Sequence, residues 1–201
     1  MTALLSSTYF GPIQWYQKLN RYDSILIEQH DSFVKQTYRN RCIIATANGS
    51  QALSLPTSPG NKDKGDEGMP TTVNSTIISD HGNWRHVHWN ALKSAYGESP
   101  FFTGKWTDLY SFNMDICRKM CELLDIEPNI SLTDHYISRE EACDLGIADF
   151  RDAIRPKHPL PDPDFEPRRY YQVYEQRHGF LPNMSIIDLL FNMGNESVLW
   201  L

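Results

Sequence analysis

The first 28 residues constrain the fold more than any other stretch of the chain. Ala3 to Ser6 is a short apolar run, and Thr8-Tyr9-Phe10-Gly11-Pro12 has turn chemistry. Ile13 to Leu19 reads as a helix, and Ser24-Ile25-Leu26-Ile27-Glu28 is a β-branched run bounded by polar residues. A helical connection between two strands favours a parallel βαβ unit, because antiparallel neighbours need only a tight turn. Cys42 to Ala45 and Leu53 to Leu55 flank Asn48-Gly49, a hairpin signal. The expected fold class is α/β: a Rossmann-like mixed sheet with flanking helices on both faces and an added β-hairpin.

Residues Thr57 to Thr72, rich in Pro, Gly, Lys and Asp, read as a mobile loop or linker, and Thr76 to Ser79 as a return to strand. Trp84 to Tyr96 is a predicted helix whose apolar stripe is Trp84, Val87, Ala91, Leu92 and Ala95. Thr107 is the expected cap of a second helix, with Leu109, Phe112, Ile116, Met120 and Leu123 on one face. Ser138 to Asp144 reads as a short helix. Five prolines make Arg155 to Pro167 extended or polyproline-like. Ser185 opens a last helix, with Asp188 at the third position of a capping-box variant. With no internal repeat and no second core, residues 1–201 read as one domain.

Charge and composition narrow the function classes. A net charge of -6 argues against nucleic acid as a partner, since phosphate backbones demand clustered Lys and Arg. No apolar run has the roughly 18 residues of a membrane span, and Met1 to Leu19 lacks the basic and apolar regions of a secretory leader. Cys42, Cys117, Cys121 and Cys143 read as reduced thiols. The expectation is a cytoplasmic protein acting on a small, phosphate-bearing molecule.

Several clusters are candidate sites. The Thr8 to Gln17 turn sits where a βαβ unit places its carboxyl edge, and the N-terminus of the following helix offers N–H donors to an anion. The segment Lys35-Gln36-Thr37-Tyr38-Arg39-Asn40-Arg41 concentrates cations in an acidic protein. If extended, it puts Lys35, Thr37, Arg39 and Arg41 on one face, suited to phosphate or carboxylate. His81, in a loop before a helix, is an acid/base candidate. His86 and His88, two apart on a helix, diverge, so no metal site is expected. Cys42 has Arg41 beside it to favour a thiolate nucleophile, although its apolar strand suits a buried small side chain better. Tyr170-Tyr171-Gln172-Val173-Tyr174 is either a pocket wall for a sugar or base or a strand packed on the sheet.

Tyr9-Phe10-x-Pro12, Asp23 before the second strand, Asn40-Arg41, Tyr96-Gly97-Glu98-Ser99-Pro100-Phe101 and the closing run from Phe180 to Asp188 resemble the WbqC-like protein family along nearly the whole chain. The resemblance implies a bacterial protein of O-antigen or other surface-polysaccharide gene sets. Where many relatives carry a Gly-rich stretch, this chain has the Pro-rich segment Arg155 to Pro167. Phe10-Gly11-Pro12-Ile13-Gln14-Trp15-Tyr16-Gln17 is also similar to the nucleotide-binding turn of nucleotidylyltransferases, with Gln14 and Gln17 in place of both histidines. Together these readings imply an enzyme that modifies an activated sugar, acyl or aminoacyl transfer to an amino sugar being one form. A nucleotide-sugar or an acyl thioester is the expected co-substrate. The site residues are then Tyr9, Phe10, Pro12, Gln14, Lys35, Arg39, Asn40, Arg41, Tyr171, Gln172, Ser185 and Asp188, with His81 or Cys42 for catalysis. The alternatives are a non-catalytic nucleotide- or sugar-binding partner of a biosynthetic enzyme, and a nucleotidylyltransferase-like protein with a degenerate site.

Overall fold

The computed structural model describes residues 1–60, 71–96 and 107–201. In chain order its elements are β1 (Thr2–Ser6), α1 (Ile13–Arg21), β2 (Ser24–Glu28), β3 (Arg41–Thr46), β4 (Gly49–Ser54), β5 (Thr57–Pro59), β6 (Thr76–Ile78), α2 (Trp84–Tyr96) and α3 (Leu109–Leu124). They continue with β7 (Ile130–Leu132), α4 (Arg139–Asp144), β8 (Ala148–Asp149), α5 (Glu175–His178), α6 (Ile186–Met193) and a closing 3-10 turn (Gly194–Trp200).

The β1-α1-β2 unit is parallel as expected, registered from Thr2 opposite Ser24 to Ser6 opposite Glu28. It is the centre of a four-stranded parallel sheet in the order β7-β2-β1-β8. From β1 the chain steps outward through β2 to β7, then returns to the opposite side of β1 as β8. The direction of winding therefore reverses between β1 and β8, and such a reversal opens a crevice at the carboxyl ends of the two strands.

Strand alternation divides the core. Ala3, Leu5, Ile25 and Ile27 face the main cluster, which holds residues of α1, α3 and α6. Leu4 and Leu26 face the other way, against Ala142 of α4 and Ile137 just before it. Both faces are covered, so the strands are apolar nearly throughout. Leu5, Ile25 and Ile27 have no exposed surface, and burying each contributes about 1.5–3 kcal/mol.

The antiparallel parts form two separate two-stranded sheets, β3-β4 and β5-β6. The β3-β4 hairpin turns at Ala47-Asn48, and Gly49 follows at φ +100, a conformation that favours glycine. Of the expected loop Thr57 to Thr72, residues 57–59 are strand and Thr72 bridges to Ser32, while residues 61–70 lie outside the described residues.

Four local expectations are corrected. In α2 the buried face is Trp84, His88 and Leu92, an i, i+4, i+8 row, and Val87 is exposed. The cap of α3 is Asp108, not Thr107, because the Asp108 carboxylate accepts the Ser111 N–H at 2.7 Å. Residues 170–174 form no strand: Tyr170 and Gln172 are buried for their hydrogen bonds, while Tyr171 points outward. The Pro-rich segment is not regular polyproline, since His158 has φ +49 and bends interrupt the run.

Candidate functional site

A polar cleft lies at the reversal point. It is lined by Leu5, Ser6, Ser7 and Thr8 from the end of β1 and the loop after it, by Trp15, by Thr37, Tyr38 and Arg39, and by Phe150, Arg151, Ile154 and Arg155 after β8. The space inside it is about 10 Å³, room for about one water molecule, so a larger ligand would lie across its opening. The loop after β1 is fixed there by backbone and side chain. Tyr9 N–H donates to Tyr38 O at 2.8 Å, Trp15 Nε1–H to Ser6 O at 2.9 Å, and Asn113 Nδ2 bridges Ser7 Oγ and Arg39 O at 3.3 and 2.8 Å.

Arg39 is 6% exposed and donates through Nη2 to Ser6 Oγ at 2.9 Å and to the Asp31 carboxylate. Burial presses its pKa down, with Arg155 and Arg151 adding to the effect and Asp31 opposing it. Two polar atoms of this cleft are buried without a hydrogen-bond partner among the described residues: Arg39 Nε and Thr8 Oγ1. A buried polar atom left unmatched costs about 1–3 kcal/mol. Gly11 permits this arrangement, because a Cβ there would stand 2.5 Å from Thr8 Oγ1.

A second layer of charge holds the arginines. Glu28, at the carboxyl end of β2, is fully buried and accepts from Thr133 Oγ1 at 3.0 Å, His30 N–H at 2.8 Å, Ile137 N–H at 2.9 Å and Arg151 Nη1 at 3.4 Å. Arg151 also grips Asp149 through Nε and Nη2 at 2.9 and 2.7 Å. Glu28 is thus a structural counter-charge with its lone pairs occupied.

The expected anion site at the N-terminus of α1 is not open. Ile13 N–H donates to Met184 O at 3.0 Å and Gln14 N–H to Asn183 Oδ1 at 3.0 Å. Ser185 Oγ donates to Phe10 O at 2.7 Å, Ile186 N–H to Gly11 O at 2.9 Å, and Pro12 bridges Ser185. The closing run therefore docks onto the first turn and consumes its donors, leaving Tyr9, Phe10 and Pro12 buried in the joint. Gln14 spends its side chain on Asn183 and Asp162, and Gln17 is 1% exposed. Beside Gln14, Lys18 forms a buried pair with Asp162 at 2.8 Å.

The other sequence candidates are dispersed. Residues 35–40 are turns and bends with Gln36 at φ +63, and Arg41 already belongs to β3, so only Thr37 and Arg39 of the expected face enter the cleft. Lys35 is exposed, Arg41 Nε donates to Ser54 Oγ at 2.8 Å in the hairpin, and Asn40 Nδ2 donates to Leu55 O at 3.0 Å. Cys42 has no exposed surface, and burial pushes its thiol far up, which places it as a core side chain and not as a thiolate. His81 is exposed and lies outside the cleft lining. His88 is the buried imidazole instead, with Nδ1 2.9 Å from Tyr9 Oη. Gln172 and Asp188 meet in a buried knot: Tyr96 and Tyr170 hydroxyls donate to Asp188 at 2.6 Å each, and Gln172 Nε2 reaches it at 3.3 Å. Ser185 caps α6, accepting Ile187 N–H at 3.4 Å.

Fold and cleft together define an α/β protein with a charged crevice at the reversal of its parallel sheet. The WbqC-like protein family matches residues 6–153 and 163–199, and the chain belongs to it, a family whose name is associated with polysaccharide-related proteins. The chain is similar to the uncharacterized protein Rv1507c of Mycobacterium tuberculosis, at 23% identity covering 97% of this chain and 94% of that one. No solved structure matches it. Among the described residues no helix is long and apolar enough to cross a membrane.

Proposed function

We propose that this protein binds a phosphate-bearing activated sugar in the cleft between β1 and β8 and acts in the cytoplasm on surface-polysaccharide synthesis. Acyl or aminoacyl transfer to an amino sugar, from an acyl thioester or a similar donor, is the reaction that fits this reading. The observation that carries it is the pair of buried, unmatched polar atoms, Arg39 Nε and Thr8 Oγ1, on two residues that line one cleft at the reversal point. A guanidinium edge and a hydroxyl suit a phosphoryl oxygen, and family membership supplies the polysaccharide context.

A second reading, ligand binding without turnover, is favoured by the lining itself. No histidine or cysteine is among the described lining residues, and burial pushes the Tyr38 phenol up to about 12. No such group is poised to move a proton near neutral pH.

The test is a thermal-shift screen against nucleotides, nucleotide-sugars, coenzyme A and acyl thioesters, followed by product analysis on each hit. A true ligand at 100 times its Kd stabilises by about 2.7 kcal/mol, roughly 5–11 °C for a chain of this size. Thr8→Val removes one hydroxyl bond and should weaken that ligand about 2- to 13-fold. A hit without product selects the binding reading. Silence across the panel, or a hit unaffected by Thr8→Val, rejects the cleft as the site.

A further inference from the structure

Arg155 enters the cleft from a segment that the family match leaves out, since the match stops at residue 153 and resumes at 163. The intervening stretch is tied down along its length. Arg155 Nη1 donates to Asp152 Oδ1 at 2.7 Å, Lys157 Nζ reaches Gln36 Oε1 at 3.4 Å, and Leu160 N–H donates to Asp152 O at 3.0 Å. At the far end Asp162 is held by Lys18 and by Gln14 Nε2 at 2.8 Å. A stretch anchored this way presents Arg155 to the cleft in a defined place.

Counter-charge is unevenly shared around the cleft. Arg39 has Asp31 to itself. Arg151 has two carboxylates, Asp149 and Glu28. Arg155 must share Asp152 with Arg139. These four arginines and four carboxylates balance in sum, and the local positive charge lies on the Arg155 side, where a guanidinium 35% exposed keeps N–H donors beyond the one given to Asp152.

We propose that residues 154–162 set the ligand preference of this chain, with Arg155 as the specificity-determining residue. Arg39 and Thr8 hold one phosphoryl group, and Arg155 holds a second beside it, so the cleft selects a diphosphate over a monophosphate. This rests on the reading of the cleft as an anion site. An activated sugar carried on a nucleoside diphosphate presents two adjacent phosphoryl groups, and the fork of Arg155 matches the outer one.

The experiment is calorimetric titration of the full chain with inorganic pyrophosphate and with inorganic phosphate, on the wild type, Arg155→Gln, Arg155→Lys and Thr8→Val. The wild type prefers pyrophosphate. Arg155→Gln weakens pyrophosphate about 10-fold, the loss of one charge-assisted contact, and leaves phosphate within about twofold. Arg155→Lys keeps the charge without the fork and falls between. Thr8→Val weakens both anions in proportion. Circular dichroism melts establish that each variant is folded. An unchanged pyrophosphate-to-phosphate ratio in Arg155→Gln overturns the role of Arg155 and leaves the anion site standing, provided Thr8→Val still weakens both. A wild type that binds neither anion overturns both.

Discussion

Replacing Lys18 by Met tests whether the Pro-rich segment is held by a buried ion pair. The two side chains are 1% and 3% exposed, and Lys18 Nζ lies 2.8 and 3.0 Å from the two Asp162 oxygens and 4.3 Å from the centre of the Phe150 ring. Methionine keeps most of the apolar stem but removes the charge. Asp162 is then left with Gln14 Nε2 at 2.8 Å and Asp164 N–H at 3.2 Å, too little for a buried carboxylate. Breaking a buried pair from one side costs about 3–5 kcal/mol. For a protein of 201 residues that is a fall of roughly 6–20 °C in the melting midpoint. Lys18→Met with Asp162→Asn removes the stranded charge as well, and the asparagine still accepts from Gln14. The double variant should recover at least half of the loss, a coupling of about 1.5 kcal/mol or more. The assay is urea unfolding with thermal melts on all members of the cycle. If Lys18→Met lies within about 1 kcal/mol of the wild type, or the two losses simply add, then the pair does not hold the segment and the reasoning fails.

Three further outcomes follow from the buried polar groups. Burial lowers the His88 pKa to about 4, a hydrogen bond to the Ser54 backbone opposing, so the fold holds this ring neutral. Its contribution to stability is whole above pH 6.5 and is lost as pH falls toward 4, at about 1.4 kcal/mol per pH unit and about 3 kcal/mol in total; urea unfolding of His88→Gln should show a flatter pH dependence over that window. Asp188→Ala strands the Tyr96 and Tyr170 hydroxyls, at about 1–3 kcal/mol each, while Tyr170→Phe costs about 1 kcal/mol; equilibrium unfolding separates the two, and equal losses would contradict the knot. Gly11→Ala pushes a Cβ against Thr8 Oγ1, so its ligand-induced thermal shift should shrink as much as that of Thr8→Val.

The parts of the fold visible in the sequence are those governed by near neighbours. The β1-α1-β2 unit, the β3-β4 hairpin, α2, the short helix after Ser138 and the Ser185 cap all depend on residues a few positions apart. The strands β7 and β8 have three and two residues, too few for any alternation, so the reversal point between β1 and β8 carries no local signal. Arg39 is conspicuous in the sequence by its charge, yet its orientation depends on a turn with Gln36 at positive φ and on Asp31. Glu28 and Arg151 carry little local signal because they meet across 123 positions, and Arg155, although Asp152 is its near neighbour, becomes a cleft residue only once β8 lies beside β1. Glu28 offered one hint, an acid ending an apolar strand and hence sitting at the carboxyl edge. Lys18 in α1 reads as a solvated helix residue, and only Asp162, 144 positions away, makes it a core residue. In sequence Gln14 reads as a degenerate catalytic position, whereas it joins α1 to Asn183 and Asp162.

The central claim, that the Arg39 edge and Thr8 form an anion site, is tested most directly by nuclear magnetic resonance on the arginine Nε–H groups. The Arg39 signal is assigned by its loss in Arg39→Lys, and the protein is titrated with a nucleoside-diphosphate sugar. The account predicts a saturable downfield movement of the Arg39 Nε–H signal, with Thr8→Val raising the ligand concentration needed. An Arg39 signal that stays fixed while the ligand binds elsewhere would contradict it.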